Sequence, residues 1–390
     1  MIFDKENVMP ESAGSNLYDK LGVREIINAR GNSTIVGGSS PDQVITQAMD
    51  DAGSRYVDME ELLEKSGDYI AEVLGVEAAY VTSGCAASQT LSTAACMAGI
   101  DPDKIARLPD TTGMKNEFLI QKVQRYPHER HYRSAGGKLV EFGTSEECTL
   151  EQLKMAIGPN TAGVTYLVEV NSNPLILPLK DVVNVAHQAG VPVITDSTLQ
   201  NYPLNYFREI AQAADLVCFG GKYFGAPQST GLVCGKKDFV KAVAANGFIA
   251  FQLDGGLASG RGMKVDRQEI VGMVAAIDSW FTMNHEERLL DYETKLLNLY
   301  KQLSDVPNSK VTLDSDHIYF KVWGDCLRIV VNSDSLGKNA EAIKNELEKG
   351  DPSIWLILRD ENTLELHPNT LEDGQENIVA EELRRVLSVV

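Results

Sequence analysis

The sequence predicts an α/β protein: a mainly parallel sheet with helices on both faces, followed by a small α+β domain at the C-terminus. Three observations carry this expectation. From about residue 76 to 235, short apolar and β-branched runs alternate with helical patterns, as strand–helix–strand units require. The 390 residues leave room for two or three domains. A balance of 43 % apolar and 23 % charged residues supplies ample material for buried cores.

The elements follow in order. The first twenty residues are polar and irregular, an arm. Residues 24–29 form a short apolar strand that leads into a loop of small residues around Arg30–Thr34 and Gly37–Pro41. Apolar positions 44, 45, 48 and 49 suit a helix, and Met59–Leu74 repeats helical spacing through Leu62, Leu63, Ile70 and Leu74. Ala78–Thr82 is a strand that turns through Ser83-Gly84-Cys85 into a small-residue helix ending at Ala98. Strands are expected at 117–120, 138–142, 161–168, 191–195 and 216–219. Helices intervene at 149–157, 179–189 and 204–214, and 230–234 is a return strand. A long helical stretch runs from about 267 to 303, with Trp280 and Phe281 as packing residues. Beyond it lie strands near Val311, at 319–322, 326–331 and 354–358, and helices at 339–349 and 375–387. The expected division is an N-terminal arm with the first strand and helix (1–60), a large domain (61–285) and a small domain (286–390).

Composition narrows the function. Asp and Glu number 55 against 36 Lys and Arg, a formal charge of −19 that repels phosphate backbones. The basic clusters Arg125–Arg133 and Lys236–Lys241 are short and mixed with other residues, so no nucleic-acid partner is expected. No run approaches a membrane span of roughly 18 apolar residues. The first fifteen residues carry Asp4, Lys5, Glu6 and Glu11 where a secretory signal needs an apolar core. The six cysteines form no CxxC pair and have no histidine at ligand spacing. A structural metal or disulfide framework is therefore not expected, and reduced thiols in the cytoplasm are.

Ligands of open α/β sheets bind beyond the carboxyl ends of the strands, where three elements converge. Ser83-Gly84-Cys85 stands between a strand and a helix start, whose free N–H groups attract phosphate; its ordinary reading is an N-cap. Asp196 ends strand 191–195, where it can face a protonated ring nitrogen or cap the next helix. Lys222 follows strand 216–219 after Gly220-Gly221. It can form a Schiff base if desolvation lowers its pKa, or it is a solvated lysine. An anion cup, an Asp and a Lys in this order form the layout of a pyridoxal-phosphate enzyme.

The matching text is Val23–Gly31, Ala135–Glu141, Val193–Asp196, Gly220–Lys222, Gly225–Gly231, Arg261–Val265 and Leu364–Glu382. On these stretches the chain resembles, from about residue 17 onward, the selenocysteine-synthase-like family of fold-type-I pyridoxal-phosphate enzymes. Within that family it lies nearest to the D-glucosaminate-6-phosphate ammonia-lyase branch. The resemblance implies a seven-stranded large-domain sheet and pyridoxal 5′-phosphate as cofactor. It further implies Asp196 on the pyridinium, Lys222 as Schiff-base lysine, and Ser83, Gly84 and Cys85 around the phosphate. Two departures stand out. Gln124 occupies the position where relatives often stack a histidine on the ring, with His128 and His131 as substitutes if the loop shifts. Gly220 stands where relatives commonly carry Ser. Arg261 and Lys264 in a glycine-rich loop, Arg359 after strand 354–358, and Arg30 are candidates for a substrate anion.

The implied reaction is that of a lyase on a small amino acid or amino-sugar acid. It removes the α-proton and eliminates a β-substituent to give a 2-keto product and ammonia. Racemase, aldolase and aminotransferase chemistry share the same first step. A tRNA-dependent selenium transferase is disfavoured by charge and by the short arm before residue 20, and a non-catalytic cofactor-binding protein is the remaining alternative. Family resemblance implies a homodimer or a larger homo-oligomer.

Overall fold

The computed structural model describes residues 17–168, 173–253, 255–315 and 324–388. They fall into two compact units. The larger comprises Asn32–Leu290 with Ser315–Gly324; the smaller comprises Met1–Gly31, Asp291–Asp314 and Asp325–Val390. Strand β1 (Ile26–Asn28) belongs to the smaller unit. The larger carries β2 (Ala78–Thr82), β3 (Glu117–Gln121), β4 (Lys138–Phe142), β5 (Thr161–Leu167), β6 (Val193–Asp196), β7 (Leu216–Gly220) and β8 (Gly231–Gly235).

These seven strands form one sheet in the order β2-β8-β7-β6-β5-β3-β4. Only β8 is antiparallel to its neighbours, β2 and β7. The carboxyl ends of the six other strands therefore share one edge with the start of β8. Every residue of β6, β7 and β8 is buried. Side chains alternate between faces along a strand, so complete burial means that both faces are covered. The expected fold class is the observed one.

The first helices are α1 (Leu17–Leu21), α2 (Gln43–Gly53), α3 (Met59–Leu74) and α4 (Cys85–Ala98). Asp58 caps α3 by accepting from the N–H groups of Glu60 and Glu61, and Gly75 ends it in the left-handed region at φ 71°. α4 packs along β8, β7 and β6 and is almost wholly buried, which its Ala, Ser and Thr side chains allow. Helices Lys237–Ala245 and Phe248–Leu253 are additional to those expected. Among the described residues no helix is long and apolar enough to cross a membrane.

The smaller unit continues with β9 (Ser309–Asp314), β10 (Cys326–Val331), β11 (Ser353–Trp355), β12 (Ile357–Asp360) and β13 (Thr363–Leu366). Four of these make an antiparallel sheet in the order β12-β13-β10-β9, and β11 pairs in parallel with β1. The segment expected as residues 1–60 is thereby divided. β1 hydrogen-bonds to a strand more than 300 residues away, a pairing that no local pattern reveals. The expected strand 354–358 is two strands, broken at Leu356, and β13 is additional. The expected strand 319–322 lies outside the described residues.

Glu365 of β13 is fully buried at the centre of an ionic network. Arg359 grips its carboxylate with two N–H groups, His367 Nε2 lies 2.8 Å from Oε1, and Arg328 bridges it to Asp314. A carboxylate accepts only, so His367 Nε2 carries the proton. Burial by itself raises the Glu365 carboxyl, but the hydrogen bonds from His367 and Arg359 outweigh it and hold it well below the ordinary range.

Removing a buried partner strands the others' charge, so Glu365→Ala is expected to lower unfolding free energy by about 3–5 kcal/mol in urea melts at pH 7. A depressed carboxyl stabilises the fold fully above its unfolded pKa of about 4. That contribution is lost as pH falls through this value toward the folded one. The gap between the native protein and Glu365→Gln should therefore narrow at pH 3; an unchanged gap would show that the charge is not what matters.

Candidate active site

Strand register brings the two main loops together. In the larger unit, Gly231 of β8 pairs with Thr82 of β2 on one side and with Gly220 of β7 on the other. With neighbouring strands about 4.8 Å apart, Thr82 and Gly220 stand about 10 Å apart on one row. The Ser83–Cys85 turn leaves one end of this row and the Gly221–Lys222 turn leaves the other. One strand further on, Asp196 of β6 is in register with Cys218 of β7.

Gly231 sets the depth of this edge. A β-carbon there would lie 2.3 Å from the Gly84 carbonyl carbon and 2.5 Å from the Cys85 nitrogen. The absence of a side chain lets the start of α4 sit directly on the sheet. Gly84 adopts φ 86° as the turn reverses into the helix. The Thr82 and Ser88 hydroxyls, 2.6 Å apart, tie the turn to the first turn of α4. The first N–H groups of a helix have no acceptor within it, so those of Cys85 and Ala86 are donors for an anion. Gly220 is less tightly confined: a β-carbon would meet the Thr198 methyl at 3.0 Å and the Tyr223 ring at 3.1 Å, side chains that would have to give way slightly.

Asp196 is buried, and both of its oxygens accept hydrogen bonds. Oδ1 accepts from the Thr198 N–H at 3.2 Å and from the Thr198 hydroxyl, and Oδ2 accepts from Tyr126 Oη at 2.8 Å. Cys85 Sγ lies 3.9 Å from Oδ1. Burial, and secondarily the Asp196 charge, push the Cys85 thiol far up, so it remains a protonated lining group rather than a nucleophile.

Lys222 sits in the short turn Gly221–Phe224. Its Nζ donates to Thr34 Oγ1 at 2.8 Å, and its carbonyl accepts from Asn32 Nδ2 at 3.1 Å. The Asn32–Gly38 loop lies against its stem: a β-carbon on Gly38 would come within 3.0 Å of Lys222 Cδ. Partial burial lowers the Lys222 pKa from the ordinary lysine value. An anion cup, a buried carboxylate and a depressed lysine on one sheet edge can seat a phosphorylated ring and present an amine to it.

The remaining expected residues lie elsewhere or are otherwise engaged. Gln124 is buried, its Oε1 accepting from Gln121 at 2.9 Å and its Nε2 donating to the Leu167 carbonyl at 2.6 Å. Both ends of its amide are fixed by protein, and it makes no hydrogen bond to Asp196 or Lys222. His131, not Gln124, feels the Asp196 charge; burial and His128 lower its pKa against that pull. Arg261 lies over the Phe251 ring at 5.9 Å, its neighbour Gly260 is bonded to Asn246, and Lys264 is exposed. No contact links them to Asp196 or Lys222. Arg30 donates to the Leu356 carbonyl within the smaller unit. Arg359, expected to fork a substrate carboxylate, instead forks Glu365, and releasing it would leave that buried carboxylate short of a partner.

Tyr126, Thr198, Asn32 and Thr34 bond to Asp196 or Lys222 and are the residues that sequence reasoning missed. Tyr126 offered a signal, as an aromatic two residues beyond Gln124 in a loop leaving a carboxyl strand end. Asn32 and Thr34 offered none, because their role depends on a loop from far upstream.

Comparison with known proteins assigns the family and the fold. The profile of the SelA family, L-seryl-tRNA selenium transferase, matches residues 51–281. The chain is 31 % identical over 378 residues to the 5′-C-glycyluridine monooxygenase-decarboxylase of a Streptomyces species, covering 93 % of this chain and 90 % of that protein. It is 28 % identical over 382 residues to the D-glucosaminate-6-phosphate ammonia lyase of Salmonella typhimurium, covering 95 % and 98 %. A solved structure of D-glucosaminate-6-phosphate ammonia-lyase superposes with a TM-score of 0.81 over 96 % of this chain and 98 % of that one, at 28 % identity. The chain belongs to the SelA (L-seryl-tRNA selenium transferase) family and is a fold-type-I member of the pyridoxal-phosphate-dependent enzymes.

Proposed function

We propose that this protein is a pyridoxal-phosphate-dependent lyase acting on a small amino acid or amino-sugar acid, eliminating a β-substituent to yield a 2-keto product and ammonia. The single observation that carries the reading is the Thr82–Gly231–Gly220 row, with Asp196 one strand beyond it. The donor set fits the cofactor. The glycine-lined start of α4 suits its phosphate, Asp196 its ring nitrogen, and Lys222 its aldehyde.

When bound, pyridoxal phosphate supplies an electron sink for the substrate α-carbon. The Ser83-Gly84-Cys85 turn would hold the phosphate end, with the Cys85 and Ala86 N–H groups as donors and Gly220 allowing close backbone approach. Gln124, bonded at both ends of its amide to protein, would act only by holding the loop after β3. Asp196 would hold the ring nitrogen in its protonated form. Lys222 Nζ would engage the cofactor's aldehyde and, as a free amine, would take the α-proton and return it to the departing β-hydroxyl, which would leave as water. Its lowered pKa makes the neutral amine more accessible, as a base near neutral pH requires. The released enamine hydrolyses to the keto product and ammonia. Arg30, Arg261 and Lys264 remain candidates for holding a substrate anion.

The relative at 31 % identity motivates a second reading, loss of the α-carboxylate instead of the α-proton. Release of carbon dioxide without a keto acid and ammonia would favour it. A small-molecule substrate rather than RNA is part of the proposal, supported by the −19 charge. So is a homodimer or larger homo-oligomer, which rests on the family resemblance. A cytoplasmic location is supported by six free cysteines.

Pyridoxal phosphate should give the purified protein a visible absorption band that Lys222→Ala abolishes. A panel of D- and L-amino acids and amino-sugar acids should contain one compound that shifts the band and releases ammonia. For it, Lys222→Ala should slow α-proton exchange by roughly 10²–10⁴-fold. A shift without ammonia would move the assignment to racemisation, transamination or aldol cleavage. No band at all would sink it.

Gly231→Ala should overpack the cup. We expect a loss of about 1–3 kcal/mol in the stability of the apoprotein and a smaller rise in melting temperature on adding cofactor. An unchanged cofactor response would mean that α4 does not hold the phosphate.

A further inference from the structure

A phenol reaches the Asp196 carboxylate from the loop after β3: Tyr126 Oη donates to Oδ2 at 2.8 Å. Burial, first of all, pushes the Tyr126 phenol well above the ordinary tyrosine range, so it keeps its proton for this bond. Oδ1 is meanwhile taken by the Thr198 N–H and hydroxyl. Each carboxylate oxygen has two acceptor positions. Among the described residues, Tyr126 is the one hydrogen-bond donor to Oδ2, which leaves the second position of that oxygen for a ring N–H.

We infer that Tyr126 is a positioning residue. Its bond to Oδ2 pins the Asp196 carboxylate in the orientation that receives the cofactor's ring nitrogen. Tyr126 does not touch the reacting atoms in this scheme; it acts through Asp196. The inference rests on the cofactor reading above and adds a role that Gln124 does not fill.

The test compares equilibrium binding of pyridoxal phosphate with that of its 1-deaza analogue, in which C–H replaces the ring nitrogen. The native protein should prefer the natural cofactor, and Asp196→Asn should erase the preference. Tyr126→Phe should cut it by about tenfold, the size expected for one hydrogen bond to a charged group, while leaving affinity for the deaza analogue nearly unchanged. Tyr126→Leu, which also lacks the hydroxyl, should act in the same direction and stands in if Tyr126→Phe does not fold. Equal weakening of both ligands in either variant would show that Tyr126 only supports the loop and would overturn the inference while leaving the Asp196 assignment standing. No preference in the native protein, or one that Asp196→Asn leaves intact, would overturn the Asp196 assignment and this inference with it.

Discussion

The site depends on one steric constraint, the contact between the backbone of Gly231 and the Gly84–Cys85 peptide. β8 enters the sheet antiparallel between β2 and β7, so its first residue sits at the edge where those strands end. With no side chain at that residue, the helix start can close over the strand. The helix N–H groups then face the same space as the Lys222 turn. A larger residue would lift α4 and separate the anion cup from the lysine.

Around this edge the protein holds polar groups in a buried setting that would penalise them if left unpaired. Thr198 and Tyr126 occupy most of the acceptor capacity of the buried Asp196 carboxylate. Lys222 is treated differently. Among the described residues it has one hydroxyl partner and no carboxylate, so burial lowers its pKa instead of being compensated. A buried, hydrogen-bonded carboxylate and an amine eased toward neutrality are what the proposed α-proton chemistry requires. The smaller unit uses the same physics for another end: the Arg359 fork that could have held a substrate carboxylate holds Glu365 inside the protein.

Much of this was legible in the sequence for local reasons. Strand–helix alternation determined the α/β class, because periods of two and 3.6 residues are set by nearest neighbours along the chain. Ser83–Cys85, Asp196 and Lys222 stand out in the sequence because each follows a strand directly, and in a parallel sheet a strand's carboxyl end is a position in sequence as well as in space. What only the tertiary structure decided are the relations between distant segments. The β1–β11 pairing, the Thr34 and Asn32 bonds to Lys222, the Glu365 partner of Arg359 and the Tyr126 bond to Asp196 all join segments whose proximity no local pattern encodes. Residue type alone announced an arginine free for an anion and a glutamine free for a ring. Folding gave both side chains internal partners, because a buried polar group left unbonded costs more than the ligand contact it would have offered.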